Sequence, residues 1–340
     1  MIIDLDDIIN DSKIESMRPL QASCHAIIVI TVIAGCRNEP AEMPMSESQP
    51  AESGGVVDIR AAGLTFEAPD SIPSGWTTFR FENAADVEHF AIIERVPEGV
   101  GIDDHQEQVA PVFQEGMDYL NAGKPDSALA AFGTLPEWWS KVVFLGGPGL
   151  TAPGRTSQTT VYLGPGKYLL ECYAKTDGNF HAYNANPGEH GMVHEMTVTT
   201  QSSGVPAPEA DLHITVSSAR GIEVDSVAAP GEYTVAVHFE DQMQHENFVG
   251  HDVHLARLGE NLDVQQLEDW MDWSQPNGLQ APAPAEFIGG VEEMPAGNTA
   301  YLTVTLEPGT YAFISEVPNA ADKGMLKTFT VPVMPEQTGY

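Results

Sequence analysis

Positive charge is what this chain has least of. It carries 15 Lys and Arg against 49 Asp and Glu in 340 residues, a formal net charge of −34. Such a surface repels the phosphates of nucleic acid and of anionic lipid headgroups, so no nucleic-acid partner is expected. The balance is that of a solvated acidic shell, as in a protein working at high salt. Cysteine is scarce too, with only Cys24, Cys36 and Cys172. No apolar run reaches the roughly 20 residues that a membrane-spanning helix needs. A nucleophile elbow, a phosphate-binding P-loop and a zinc-protease helix are all missing, and the sequence is not expected to be an enzyme. Charged residues make up only 19% and hydrophobic ones 42%, which is a globular composition and not a disordered acidic tail. The length leaves room for about two ordinary domains.

The first residues read as an address. Arg18 supplies a positive start, Ala26–Ala34 a short apolar segment, and Ile33-Ala34-Gly35-Cys36 an end that resembles the bacterial lipobox. Residues 1–36 are therefore expected to be a signal with its lipidation site at Cys36, and Met17 reads as the more natural start. Residues 37–54 are rich in Pro, Glu and Ser without apolar periodicity, the composition of a flexible tether. The expected location is extracytoplasmic, held by a membrane lipid on Cys36. Arg37 favours the outer membrane and periplasm, with the cell surface as the alternative. Cleavage would remove Cys24 and acylation would consume Cys36, leaving Cys172 as the one free thiol.

The body repeats itself. Phe144-Leu145-Gly146-Gly147, Pro165-Gly166 with Tyr168, and Cys172 recur as Phe287-Ile288-Gly289-Gly290, Pro308-Gly309 with Tyr311, and Ser315, at a constant offset of 143 residues. Gly191-Met192 recurs as Gly324-Met325, and the stretch around His89 as that around His254. Alternating runs such as Trp76–Phe81, Thr159–Leu163 and Tyr233–Phe239 lie between Pro-Gly and similar turns, which predicts short strands in a sandwich. A helical insert is expected in each copy: one after His89 with Phe113, Met117 and Leu120 on one face, and one in which Asp263 and Gln266 form a capping box before Leu267, Trp270 and Met271. The expected fold class is all-β: two tandem Greek-key β-sandwiches, each with a short helical insert, over 55–200 and 210–334, joined by a linker at 201–209.

The first copy resembles the cupredoxin family, the plastocyanin- and azurin-type fold. Pro165–Cys172 resembles the strand ending in that family's copper cysteine, Gly191-Met192-Val193 the strand with its axial methionine, and Asn83 with His89 the strand supplying its first histidine. Closest in pattern are uncharacterised exported cupredoxin-like domains. The resemblance implies a copper set of His89, Cys172 and Met192, with the second histidine from His181 or His190 in the loop between Cys172 and Met192. That loop is long for the family, with Asp177-Gly178 and Asn186-Pro187-Gly188 turns inside it. In the second copy Ser315 replaces the cysteine and Lys323 stands where His190 does, yet Gly324-Met325 and His254 persist. That persistence argues for a structural duty of these residues and counts against His89 as a ligand. The leading expectation is therefore a lipid-anchored binding or scaffold module with an unidentified protein partner and no cofactor. The alternative is a periplasmic type 1 copper protein that transfers electrons or handles copper. The second copy's His238, His245, His251 and His254 are not expected to hold a metal, because strand geometry turns His251 and His254 to opposite faces. The His-x-His pairs and His-Cys-His run of multicopper oxidases do not occur.

Overall fold

The computed structural model describes residues 55–227 and 229–334. The expected signal at 1–36, with Cys24 and Cys36, and the expected tether at 37–54 lie outside the described residues. In the first copy the chain runs through β1 (Val56–Ala62), β2 (Thr65–Glu67), β3 (Ser71–Asn83) and β4 (Ile92–Arg95), then α1 (Ile102–Gln108), α2 (Ala110–Asn121) and α3 (Pro125–Phe132), then β5 (Val143–Phe144), β6 (Thr156–Leu163), β7 (Gly166–Glu171), β8 (Lys175–Thr176), β9 (Asn179–Phe180) and β10 (Val193–Ser202). The second contributes β11 (Leu212–Ser217), β12 (Gly221–Val224), β13 (Gly231–Phe239), β14 (Val253–Leu258), α4 (Val264–Met271), β15 (Glu286–Val291), β16 (Thr299–Leu306), β17 (Gly309–Ile314) and β18 (Leu326–Val331).

Strand pairing repeats with the sequence. β1 lies parallel to β3 as β11 does to β13, and β3 pairs antiparallel with β6 as β13 does with β16. On the opposing sheet β4, β7 and β10 pair in the order that β14, β17 and β18 repeat. Each copy is thus a sandwich of two sheets, and alternation decides which side chains fill it. In β1, Val57, Ile59 and Ala61 point inward, while Asp58 and Arg60 face solvent. Asp58 there takes a bidentate bond from Arg80 of β3. The two sandwiches are not separate beads. β6 pairs antiparallel with β16, Tyr301 opposite Thr160 and Leu302 opposite Thr159, so one sheet continues across both copies.

Tyr168 and Tyr311, in register in the repeat, close the same corner twice. Each hydroxyl donates to the carbonyl four residues back, Gly164 at 2.7 Å and Glu307 at 2.9 Å. Tyr168→Phe removes one such bond without a cavity and is expected to lower stability by about 1 kcal/mol. The two corners lie in different copies and share no hydrogen-bond partner, so the double variant with Tyr311→Phe should lose the sum of the two, read by urea unfolding.

Three details differ from the sequence expectation. The first copy's insert is three helices, not one short one. α4 begins with a simple Asp cap, the Asp263 carboxylate accepting from Gln265 N–H at 3.1 Å, because the Gln266 side chain does not return to the Asp263 amide. β10 also runs on to Ser202, so the connection between copies starts at Ser203. Among the described residues no helix is long and apolar enough to cross a membrane.

Candidate metal centre

Four connections bring three soft or borderline donors together inside the first sandwich. Cys172 follows directly on β7. Its amide donates to Met192 O at 3.1 Å, and the Met192 amide donates to His181 O at 2.6 Å. His89 sits between β3 and β4, tied to Thr151 by two backbone bonds, Thr151 N–H to His89 O at 2.8 Å and His89 N–H to Thr151 O at 3.3 Å. The buried Asn83 amide locks that loop by donating to Val87 O and Thr151 O at 2.8 and 2.7 Å.

His181 reaches the centre through a hairpin. β8 and β9 pair Lys175 with Phe180 and Thr176 with Asn179 across an Asp177-Gly178 turn, both turn residues having positive φ. This is the turn that Asp-Gly favours between short strands. The hairpin reverses the chain so that the His181 amide donates to Ala174 O at 2.8 Å, two residues past Cys172. α2 braces it, with Gln114 Nε2 donating to Gly178 O at 3.3 Å and Phe180 N–H donating to Gln114 Oε1 at 3.0 Å. Gly191 permits the last approach, since a Cβ there would lie 2.1 Å from the Ala182 carbonyl.

The resulting triangle is small. His89 Nδ1 lies 3.5 Å from Cys172 Sγ, His181 Nδ1 lies 3.7 Å from the same sulfur, and the two nitrogens are 3.2 Å apart. A point equidistant from all three is about 2 Å from each, the length of a bond from imidazole nitrogen to a late first-row metal (~2.0–2.1 Å for zinc). His89 and Cys172 are wholly buried and His181 almost so, and Met192 is buried beside them in the core. Thr176 Oγ1 lies 2.8 Å from His181 Nε2, which orients the ring from its far side. His89 Nε2 is buried without a hydrogen-bond partner among the described residues.

Burial sets the protonation of the donors. It lowers the His89 pKa to about 4, against a weaker upward pull from the Gly63 backbone. His181 falls to about 3, through burial first and the neighbouring His89 second. The Cys172 thiol is pushed well up, mainly by burial, so without a cation it stays protonated and inert. Both imidazoles are neutral at neutral pH, and their lone pairs can face one central cation.

Because unfolded histidines titrate near ~6.5, the unfolded chain takes up protons as pH falls from there toward 4 while these two rings do not. Their contribution to stability is complete above about 6.5 and is lost on acidification, by about 5 kcal/mol for the pair at pH 4.5. Buried carboxyls with raised pKa values, Glu94, Glu292 and Glu316, act in the opposite sense. The measurement is therefore a difference: the stability gap between the wild type and a His89→Gln/His181→Gln double variant should shrink from pH 7 to pH 4.5. A constant gap would refute it.

The structure separates the two loop histidines. His190 is half-exposed, 2.8 Å from Asp103 Oδ1 and away from the cluster. His194 reaches Asp70 and the Pro69 carbonyl instead. In the second copy, Ser315 N–H donates to Met325 O and Met325 N–H to Ala320 O, as Cys172, Met192 and His181 do in the first. Ala320 thus stands in the place of His181, a correspondence that the sequence offsets hide. Gly324 is kept for a different reason from Gly191: its φ is +71°. His254 is kept for a reason of its own as well, since it is buried among Asp252, Glu292 and Glu316. Its persistence therefore says nothing against His89 as a ligand. His245 and His251 face each other at 3.0 Å and His238 meets Thr299, all apart from His254.

No protein-family model matches the chain, and no curated protein matches it. Among solved structures it is similar to dithionite-reduced auracyanin from the photosynthetic bacterium Roseiflexus castenholzii, at 19% identity over 36% of this chain and 95% of that one, with a TM-score of 0.27. It is similar to auracyanin A, a blue copper protein from Chloroflexus aurantiacus, at 20% identity over 42% and 98%, TM-score 0.24. A copper nitrite reductase from Nitrosomonas europaea aligns at 12% identity over 81% and 93%, TM-score 0.22. At such scores the chemistry of this chain has to come from its own atoms.

Proposed function

We propose that this protein binds one copper ion through His89, Cys172, His181 and Met192 and passes single electrons outside the cytoplasm, tethered by a lipid on Cys36. The observation that carries the reading is the triangle of two imidazole nitrogens and one sulfur, all within 3.7 Å of one another in a buried core. Two imidazoles, a thiolate and a weak thioether are the donor set of blue copper sites. Bound there, copper would supply one-electron exchange between Cu(I) and Cu(II).

The chain's own residues do the rest. Both histidines are uncharged at neutral pH, each with one ring nitrogen free to bind, so only the Cys172 proton has to leave on binding. Backbone bonds from Met192 to both Cys172 and His181 fix the sulfur and one nitrogen relative to each other, and Thr151 fixes the other nitrogen. A preset donor set of this kind needs little rearrangement between oxidation states. Burial excludes water and exogenous thiols. The lipid anchor rests on the Ile33–Cys36 motif and the tether that follows it. This reading reverses the preference for a metal-free binding module, because His254 has its own reason to persist and the hairpin delivers His181.

The test is one equivalent of Cu(II) added to the purified chain. An intense blue thiolate-to-copper absorption is expected, bleached by ascorbate, restored by a mild oxidant and absent from Cys172→Ser. A colourless wild type with a fully titratable thiol after unfolding would sink the proposal.

A further inference from the structure

The second copy has filled the corresponding region with acids. One donor atom each from Asp252, His254, Glu292 and Glu316 lies within 4.8 Å of the others, and all four residues are buried. The carboxylates come from the approach to β14, the residue after β15, and the loop after β17. Asp252 is the best satisfied: Ser315 Oγ and Glu316 N–H donate to Oδ1, and His254 Nε2 lies 2.9 Å from Oδ2. The Leu150 amide donates to His254 Nδ1 at 3.1 Å, so the ring proton is on Nε2 and is given to Asp252. His254 is therefore a positioning residue, holding Asp252 from outside.

The other two acids are left open. Both oxygens of Glu292 and Oε1 of Glu316 are buried with no hydrogen-bond partner among the described residues. Tyr173 donates to the remaining Glu316 oxygen at 2.9 Å. Among the described residues no Lys or Arg forms an ion pair with any of the three carboxylates; the imidazole of His254 is the basic side chain beside them. Buried carboxylates are normally paired or bound to metal, because an unpaired charge or unbonded oxygen away from water costs several kcal/mol. A cavity of about 80 Å³, lined by Asp252, Glu292, Tyr173 and Trp273, opens beside them and is large enough for several waters. It leaves room beside Asp252 and Glu292 for water that could complete an ion's coordination.

We propose that Asp252, Glu292 and Glu316 form a second metal site, an oxygen-donor site for one hard divalent cation of the Mn²⁺, Ca²⁺ or Mg²⁺ class. Carboxylate and water ligands suit such hard ions, whereas the thiolate and imidazoles of the first copy suit copper. The site does not depend on the copper reading, since it shares no ligand with it. Through Tyr173, adjacent to Cys172, it lies one hydrogen bond from the residue that follows the copper thiolate.

The test uses the purified full chain as Cys172→Ser, stripped with EDTA and titrated with Mn²⁺ alone. Free Mn²⁺ is counted by its EPR signal, and thermal unfolding is followed in parallel. One Mn²⁺ per chain is expected, with a melting temperature that climbs with Mn²⁺ concentration. Glu292→Gln, which breaks no hydrogen bond, should bind at least tenfold more weakly and lose the Mn²⁺-dependent shift while melting normally in EDTA. If that variant fails to fold, Glu316→Gln replaces it. A parent chain that does not bind Mn²⁺ stoichiometrically, or a folded Gln variant that binds as well as its parent, overturns the proposal.

Discussion

Replacing His181 with Ala is expected to abolish the blue colour and weaken copper binding by at least ~100-fold, while His190→Ala leaves both unchanged. The pair is informative because the sequence leaves the two residues as alternatives. His181 puts Nδ1 within 3.7 Å of the Cys172 sulfur, whereas His190 is half-exposed and engaged with Asp103. Removing one of three strong donors leaves only His89, Cys172 and the weak Met192 thioether and opens a gap, a larger change than the 10–100-fold that outer-shell partners typically cause. The structural cost is a Thr176 hydroxyl left without its partner, about 1 kcal/mol, plus a buried cavity of about 2–4 kcal/mol, so unfolding of the variant is followed beside its copper binding. Titration of each variant with Cu(II), read by absorbance and by competition with a chelator, gives the answer. Loss of binding in His190→Ala with retention in His181→Ala would mean that the site is assembled differently.

The second large effect should come from a residue outside the triangle. Lys175 lies on β8, wholly buried, and its ammonium donates to Trp273 O at 2.7 Å and Gln275 O at 2.9 Å in the second copy. Its backbone joins the same copy, Lys175 N–H to Leu279 O and Ala281 N–H to Lys175 O. Burial lowers its pKa to about 8, partly offset by Asp272. Lys175 thus clamps the hairpin carrying His181 onto the neighbouring sandwich. Lys175→Ala would take the donor from the buried Trp273 carbonyl and leave a cavity where the stem was, for a loss of about 3–4 kcal/mol. Lys175→Met keeps the volume and should lose about 2 kcal/mol. Both variants should also bind copper more weakly, because His181 is then held from one side only. Chemical denaturation together with the copper titration checks both parts. Full stability with weakened copper binding, or the reverse, would break the link between clamp and site.

The repeat was readable because Gly, Pro and Tyr sit at turns and corners where backbone geometry dictates residue type. Tyr168 and Tyr311 close equivalent corners, and the paired strands follow the aligned segments one by one. The merger of the copies into one sheet was not readable. β6 and β16 are edge strands whose alternation is the same whether the next strand belongs to the same copy or the other. The full helical insert is hard to read in the sequence because α3 is short and starts at a proline that also reads as a turn. At the candidate site, spacing misleads: nine residues from Cys172 to His181 look too many until the Asp177-Gly178 hairpin is counted. The signal was present in Lys-Thr-Asp-Gly-Asn-Phe, the shortest hairpin pattern. The acid cluster in the second copy left no trace in spacing, because its members come from three distant segments of a chain already crowded with acids.

The most direct measurement is copper K-edge X-ray absorption on the chain loaded with one equivalent of Cu(II). The account predicts two nitrogen scatterers near ~2.0 Å and one short sulfur scatterer, the sulfur lost in Cys172→Ser. A first shell of oxygen and nitrogen only, unchanged by that substitution, would contradict it.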